Sequence, residues 1–214
     1  MTATPTKLVI ASSNAGKLAE FDALFATLFA GKGIELISQG SLGVTDADET
    51  GLTFVENALL KARHAALATG LPALADDSGL CVDALGGAPG LLSARYSGVH
   101  GNPSANIDTL LAAMRDVPAA RRGAHFHAVI VLLRHADDPQ PLIAEGNWPG
   151  VILEARLGEG GFGYDPVFLD PLLGLSAAQI EPSVKNRISH RGRALAVLRE
   201  KLALLASSPA PLRS

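Results

Sequence analysis

Apolar residues recur along this chain in two rhythms, a short β-rich one and a helical one. Lys7-Leu-Val-Ile-Ala11 is a compact β-rich run, followed by a polar turn and then by helical periodicity from Leu18 to Phe29. Ile34–Ser38 reads as a second strand. Thr53-Phe-Val-Glu56 is a capping box, which predicts a helix from there to about Thr69, stopped by Gly70 with Pro72 beyond. Leu74 and Ala75 then form a short strand that runs into Asp76-Asp77 and a turn at Ser78-Gly79. Ser104 to about Met114 reads as a helix and Ala124 to Leu133 as a long strand. Leu142–Trp148 and Val151–Leu157 read as two more strands around Pro149-Gly150, Val167-Phe168 as another, and Ser189–Leu205 as the terminal helix. Strands and helices are mixed, and the late strands fall in hairpins. The pattern predicts an α/β protein with a mixed sheet.

Composition sets the scale. At 214 residues, 48% hydrophobic and 18% charged, the chain can bury a core of one domain, expected over residues 1–206, with 207–214 as a flexible tail. The longest purely apolar stretch, Ala128 to Leu133, is far short of a membrane span, and the N-terminus has no charged region leading into an apolar signal core. No membrane association and no export are expected. The one cysteine, Cys81, excludes an internal disulfide and fits a reducing, cytoplasmic setting; lying in an apolar run, it reads as packing rather than as a nucleophile. A net charge of −3 argues against direct nucleic-acid binding, which depends on neutralising phosphates. Any anion site must be local.

Local candidates exist. Carboxylates are costly beside a core, and the doublet Asp76-Asp77 has two readings: ligands for an oxygen-loving metal, or acids that solvate a strand end and cap its turn. The turn Ser12-Ser13-Asn14-Ala15-Gly16-Lys17 sits between a strand and a helix start, where backbone N–H groups, the positive helix end and a lysine can all face an anion. It can equally be an ordinary N-capping turn. It is not a Walker loop, because Ala11 stands at the first Gly and Leu18 at the metal-binding hydroxyl. Metal ligands would then come from elsewhere, with Asp48, Glu49, Asp76 and Asp77 available.

Gly158-Glu-Gly-Gly-Phe-Gly163 matches a dinucleotide fingerprint in letters, but Tyr164-Asp165-Pro166 follows where a helix is required. Its glycines would let backbone approach a flat ligand, with Phe162 or Tyr164 stacking on a base and Asp165 holding a polar edge; a hairpin loop packed on the core is the alternative. Lys185, Arg187, His190, Arg191 and Arg193 form a basic stretch without an intervening acid, partly at a helix start, where cations oppose the dipole. It faces either an anionic or hydrogen-bond-accepting ligand or solvent. His125 and His127 share a strand face but have no second metal-ligand pair nearby in sequence, which favours core or cleft histidines over zinc ligands.

Taken in order, Ser12-Ser-Asn-Ala-Gly-Lys17, Asp48-Glu-Thr-Gly51 with Glu56-Asn-Ala-Leu-Leu-Lys61-Ala, Ala75-Asp-Asp-Ser-Gly79, Gly86-Gly-Ala-Pro-Gly90 with Ser93-Ala-Arg-Tyr-Ser97, Gly161-Phe-Gly-Tyr-Asp-Pro166 and Ser189-His-Arg-Gly192 closely resemble the inosine/xanthosine triphosphate pyrophosphatases. These house-cleaning enzymes remove deaminated purine nucleotides. The resemblance spans roughly Lys7 to Leu205; each motif alone is weak, and their common register is specific.

The resemblance implies an elongated mixed sheet with two α/β lobes flanking a cleft, a homodimer, and Mg²⁺-dependent hydrolysis of purine nucleoside triphosphates (ITP, dITP, XTP) to monophosphate and pyrophosphate. By position, Ser12, Ser13, Asn14, Ala15, Gly16 and Lys17 resemble the triphosphate loop, Asp77 the proton acceptor and metal ligand, and Asp48 a second metal ligand. Ser78 would contact substrate, Phe162, Gly163, Tyr164 and Asp165 with His190 and Arg191 would frame the base, and Lys185 would also touch the nucleotide. Lys61 is a further member of the phosphate network. Two departures stand out: Ser12-Ser13 where many relatives have Thr-Gly or Thr-Ser, and Asp48 where a Glu is common, which leaves the second metal ligand open. A nucleotide-dependent kinase and a non-catalytic nucleotide-binding module are the competing readings. The missing Walker residues count against the kinase, and Asp77 counts against the module.

Overall fold

A computed structural model describes residues 6–12, 25, 33–99 and 101–207. One seven-stranded mixed sheet runs through them in the order β2-β1-β3-β4-β5-β6-β7. The strands are β1 (Thr6–Ile10), β2 (Ile34–Ser38), β3 (Ala73–Val82), β4 (Gly123–Leu133), β5 (Leu142–Ile152), β6 (Phe168–Asp170) and β7 (Leu175–Ser176). β1 lies parallel to both β2 and β3, and every later pairing is antiparallel. The helices are α1 (Phe54–Thr69), α2 (Pro103–Ala113), α3 (Pro182–Ile188) and α4 (His190–Ser207). No helix among the described residues is long and apolar enough to cross a membrane. Most of the expected helix from Leu18 to Phe29 and of the expected tail 207–214 lies outside the described residues; Phe25 alone is described in the former, helical and buried, and Ser207 alone in the latter, where it ends α4.

The capping box acts as its spacing predicts. Thr53 Oγ1 accepts the Glu56 N–H at 3.2 Å, and the Glu56 carboxylate accepts from Leu52 N–H at 2.8 Å and from the Thr53 hydroxyl at 2.9 Å. Gly70, at φ 68°, closes the helix in the left-handed region.

Two sequence expectations are corrected. β3 does not stop at Ala75 and turn at Ser78-Gly79; it continues for 10 residues through both aspartates. β4 offers it an unbroken partner, with Asp76 opposite Ile130 and Asp77 opposite Val129, so ladder pairing overrides the poor strand propensity of Asp and Gly. Likewise β5 is one strand that passes through Pro149-Gly150, and Leu153–Leu157 leave the sheet. The β5–β6 register covers only Val151 and Ile152, so Pro149 lies on an outer edge where a missing N–H breaks no ladder bond. α3 and β7 are too short to carry a period and had no sequence signal.

The pleat sorts β3 onto two faces. On one, Ala58, Ala62 and Ala65 of α1 pack on Ala73, Ala75, Val129 and Val131. On the other, Ala194, Leu195 and Leu198 of α4 pack on Leu74, Ala128, Ile130 and Ala144. Farther along that second face, Ile107, Leu110 and Met114 pack with Leu80, Phe126, Trp148 and Phe168.

Glycines set two close approaches. A Cβ on Gly79 would run into the Gly90 carbonyl and lie 2.7 Å from Ser93 Oγ. A Cβ on Gly146 would run into the His190 carbonyl and lie 2.5 Å from Ala194 N, so α4 can start on β5 only where a side chain is missing. Gly146→Ala is therefore expected to cost about 1–3 kcal/mol, the range for overpacking a well-filled interface. Thermal unfolding should show a clear drop in Tm, while Gly40→Ala, with nothing within 4 Å of its added Cβ, should show almost none. Equal melting of all three proteins would refute this account of α4.

Candidate active site

Asp77 projects toward α1. Its Oδ1 accepts from Lys61 Nζ at 2.8 Å, and the same ammonium reaches Glu49 Oε1 at 3.1 Å. Glu49 Oε2 lies 3.5 Å from the Arg95 guanidinium. Burial alone would lower the Lys61 pKa, but the carboxylates of Asp77 and Glu49 outweigh it and hold the ammonium above its ordinary value. Asp48 is exposed and takes no part in these ion pairs, so the acid brought to Lys61 and Asp77 is its neighbour Glu49.

The chain leaves β1 close by. Ala11 N–H donates to the Leu74 carbonyl at 2.8 Å, which sets Ser12 beside the stretch of β3 that leads into the aspartates. Ser13, Asn14, Ala15, Gly16 and Lys17 lie outside the described residues.

Asp76 and Ser78 project to the opposite face. There the Ser78 hydroxyl donates to Asp76 Oδ2 at 3.1 Å and accepts from Arg191 Nη2 at 2.8 Å, with Arg191 Nε 3.5 Å from the same carboxylate oxygen. Around this cluster is a cavity of about 150 Å³, lined among others by Phe126, Phe162, Asp165, Lys185 and His190. Phe126 stacks on His190 at 4.8 Å and 14°. Lys185 Nζ and Arg191 Cζ lie 5.2 Å and 5.4 Å from the centre of the Phe162 ring.

The loop from Gly158 to Gly163 is no dinucleotide turn: a 3₁₀ turn, Asp165–Val167, follows it. Gly161, at φ 72°, leaves room for the Asp165 carboxylate where a Cβ would otherwise sit. Asp165 accepts from Phe162 N–H at 2.8 Å and pairs with Lys185 at 2.6 Å, so it orders the loop and its lysine. Gly163 lines the cavity between the two aromatics. The rings divide the work that the sequence left to either of them. Phe162 is partly exposed at the cavity, whereas Tyr164 is buried and donates its hydroxyl to the Ser93 carbonyl at 3.0 Å. Burial raises the Tyr164 pKa, which keeps the phenol a donor.

Both sides of β3 meet at its edge. β1 pairs with β3 only as far as Leu74, and the bridge from Cys81 to Pro89 takes up the edge again beyond Gly79. Among the described residues, no strand pairs with β3 on that side between these two points, and the carboxylate–ammonium cluster and the aromatic cavity lie on its opposite faces. His125 and His127 lie elsewhere on the Asp77 face; His127 Nδ1 is 2.7 Å from Asn147 Oδ1, and its ring tilts on Phe54. No group of three His, Cys, Asp or Glu side chains able to hold a metal occurs among the described residues. Cys81 is half-buried, and burial pushes its thiol up, which keeps it neutral.

Several members of the site carried little signal. Ser93 accepts from Tyr164 through its carbonyl, and its hydroxyl accepts from Leu80 N–H at 2.9 Å and donates to the Gly90 carbonyl at 2.6 Å; the sequence marked it only as the start of one family-like motif and gave it no role. Lys61 had one: a lysine three residues after Ala58 and next to Ala62, on the alanine face of α1.

A mixed sheet whose strand β3 sets a charged cluster against one face and an aromatic, cation-rimmed cavity against the other defines an α/β protein with a composite polar and flat-ligand site. Residues 8–201 match the Ham1 family, and the chain belongs to it. It is 64% identical over 195 residues to the dITP/XTP pyrophosphatase of Xanthomonas campestris pv. campestris (strain 8004), covering 91% of this chain and 96% of that protein. The solved structure of a HAM1 protein from Coxiella burnetii superposes with a TM-score of 0.85 at 46% identity, covering 93% and 99% of the two chains. The Ham1 protein of Staphylococcus aureus superposes with a TM-score of 0.81 at 38% identity, covering 94% and 100%.

The Lys61 cluster has a pH signature. Because its folded pKa is raised, its stabilising contribution is fully present below the ordinary value of 10.5 and is lost as pH rises through the folded value. The stability difference between wild type and Lys61→Met in urea is expected to be flat through neutral and mildly alkaline pH and to shrink only above 10.5. A difference that vanishes near neutrality would contradict the assignment.

Proposed function

We propose that this protein hydrolyses deaminated purine nucleoside triphosphates (ITP, dITP and XTP) to the monophosphate and pyrophosphate, and so keeps them out of nucleic acids. The observation that carries this reading is the placement made by β3, whose successive residues face a carboxylate–ammonium cluster on one side and an aromatic, cation-rimmed cavity on the other. A nucleotide has the matching two-part character, a flat base and a charged chain. The names of the relatives support it.

In this reading Ser12, Ser13, Asn14, Ala15, Gly16 and Lys17 take the phosphate chain, and Lys61 supplies a further cation to it. Asp77 and Glu49, rather than Asp48, would hold a magnesium ion. Two carboxylates already share one ammonium there, so the pair accepts a positive charge, and an all-oxygen set with few protein ligands suits a cation that keeps water and phosphate oxygens around it. When bound, the ion would neutralise charge on the phosphates. Asp77 orients a water and takes its proton as it attacks the α-phosphorus, and pyrophosphate leaves. Phe162 stacks on the base, while Ser78, Lys185, His190 and Arg191 surround it with polar groups and Tyr164 and Asp165 hold the loop. Adenine offers an amino group where hypoxanthine and xanthine carry an oxo group, and donors aimed at an oxo group would be left unpaired by adenine.

Residues 1–206 would act as one domain, in the cytoplasm, where a single cysteine is in keeping with reducing conditions. The assembly we favour is a symmetric homodimer, in keeping with exposed apolar side chains such as Leu52 and Leu172, 87% and 89% exposed. Sedimentation at micromolar concentration should show the dimer, and a stable monomer would refute it.

One assay tests the function. With Mg²⁺, release of pyrophosphate from ITP, dITP and XTP should exceed that from GTP and ATP in kcat/KM by at least about tenfold, roughly 1.4 kcal/mol in transition-state binding. Asp77→Asn, nearly isosteric but unable to act as base or anionic ligand, should lose at least about a hundredfold of that activity with the fold intact. Nucleotide binding without pyrophosphate release would make the protein a binding module, and equal turnover of GTP and ITP would remove the substrate assignment alone.

A further inference from the structure

Successive residues of a strand point to opposite faces, and in β3 this separates two adjacent acids. Asp77 meets Lys61 on the α1 side, whereas Asp76 meets Ser78 and Arg191 on the α4 side. Asp76, Ser78 and Arg191 form a closed ring of contacts. The Ser78 hydroxyl accepts from Arg191 Nη2 at 2.8 Å and donates to Asp76 at 3.1 Å, and Asp76 lies 3.5 Å from Arg191 Nε. An ionised carboxylate only accepts, so it fixes which way the hydroxyl proton points. The side chains of Asp76 and Arg191 are 0% and 4% exposed.

Arg191 is also the second residue of α4, where a cation opposes the helix dipole. A buried guanidinium in that place needs an anion, and Asp76 supplies it. The same guanidinium lies 5.4 Å from the centre of the Phe162 ring and lines the cavity with it. Moving it would change the space between ring and cation that a flat base would enter.

We propose that Asp76 is the positioning residue of the base cavity: through Arg191 it holds the polar wall opposite Phe162, and it has no part in the chemistry assigned to Asp77. Adjacent acids thus serve opposite ends of one nucleotide. This rests on the function proposed above, and its test separates the two.

The test measures kcat and KM for ITP, together with equilibrium binding of inosine monophosphate. Asp76→Asn is expected to raise KM and weaken monophosphate binding by at least about tenfold while kcat stays within about threefold, the pattern of lost uniform binding. Asp77→Asn is expected to do the reverse, with kcat collapsing and the monophosphate still bound. A purely structural ion pair would produce no such split. Because Asp76→Asn leaves a cation buried beside a neutral amide, the charge-neutral double variant Asp76→Asn/Arg191→Gln is compared with Arg191→Gln alone. If Asp76 acts through Arg191, these two bind the monophosphate equally, within about twofold.

Unchanged KM in Asp76→Asn, a fall in kcat at constant KM, or a further loss of binding on adding Asp76→Asn to Arg191→Gln would overturn the assignment. A wild-type protein that neither binds inosine monophosphate nor releases pyrophosphate from ITP would overturn the proposed function and the assignment with it. Wild-type turnover with an unaltered Asp76→Asn variant would remove the assignment alone.

Discussion

A carboxylate inside a sheet is tolerable only where a cation comes to meet it, and β3 carries two in succession. Asp76 and Asp77 are 3% and 6% exposed, and the pleat makes one cation insufficient because the two acids face opposite ways. α1 brings Lys61 to one face and the start of α4 brings Arg191 to the other. The helices are placed by this requirement as much as by their apolar stripes. Buried ion pairs are weak stabilisers: replacement by packed apolar residues is often neutral or favourable, whereas removing one partner costs about 3–5 kcal/mol. A fold optimised for stability alone would gain little from two of them side by side. Their presence inside the sheet is explained by the two clusters they build.

Close approach of backbone to backbone is the second condition. α1 comes near the sheet because its inner face is alanine, which lets Lys61 reach Asp77 across a short gap. α4 can begin on β5 because position 146 has no side chain, and the turn that carries Ser93 lies on β3 because position 79 has none. Each contact positions a polar group of the site: Arg191 in one case and the carbonyl that receives Tyr164 in the other.

Elements with their own local chemistry were legible in the sequence. The capping box and Gly70 marked both ends of α1, Ile34–Ser38 matched β2, and the run Ala124 to Leu133 placed β4 within a residue of where it lies. Elements that depend on a partner strand were not. Nothing within Ala73–Val82 says that β4 will carry pairing through two aspartates, and nothing within Leu142–Ile152 says that Pro149 will fall where no strand bonds on its outer side. The site divides in the same way. Residue types that suit a nucleotide were visible at Asp77, Phe162, Lys185, His190 and Arg191, and the structure brings the last four to one cavity with Asp77 across the strand. Asp48 and Glu49 could not be told apart in one dimension, since only a tertiary contact with Lys61 chooses between them. Asp76 read as half of a doublet and proves to belong to another face.

An uncovered strand edge is normally a liability, because its free N–H and C=O groups invite pairing with another chain. Among the described residues, the exposure along β3 is short. β1 covers β3 up to Leu74, the Ser93 hydroxyl receives Leu80 N–H, and the bridge from Cys81 to Pro89 closes the far end. What is left, from Ala75 to Gly79, coincides with the acids and the serine of the site. A gap so narrow, flanked by charged and polar side chains, is a poor template for a stray strand. The rule that limits aggregation thus converges on the same few residues that build the two clusters, and Asp76 and Asp77, which face opposite ways, are separated by a single peptide unit of β3.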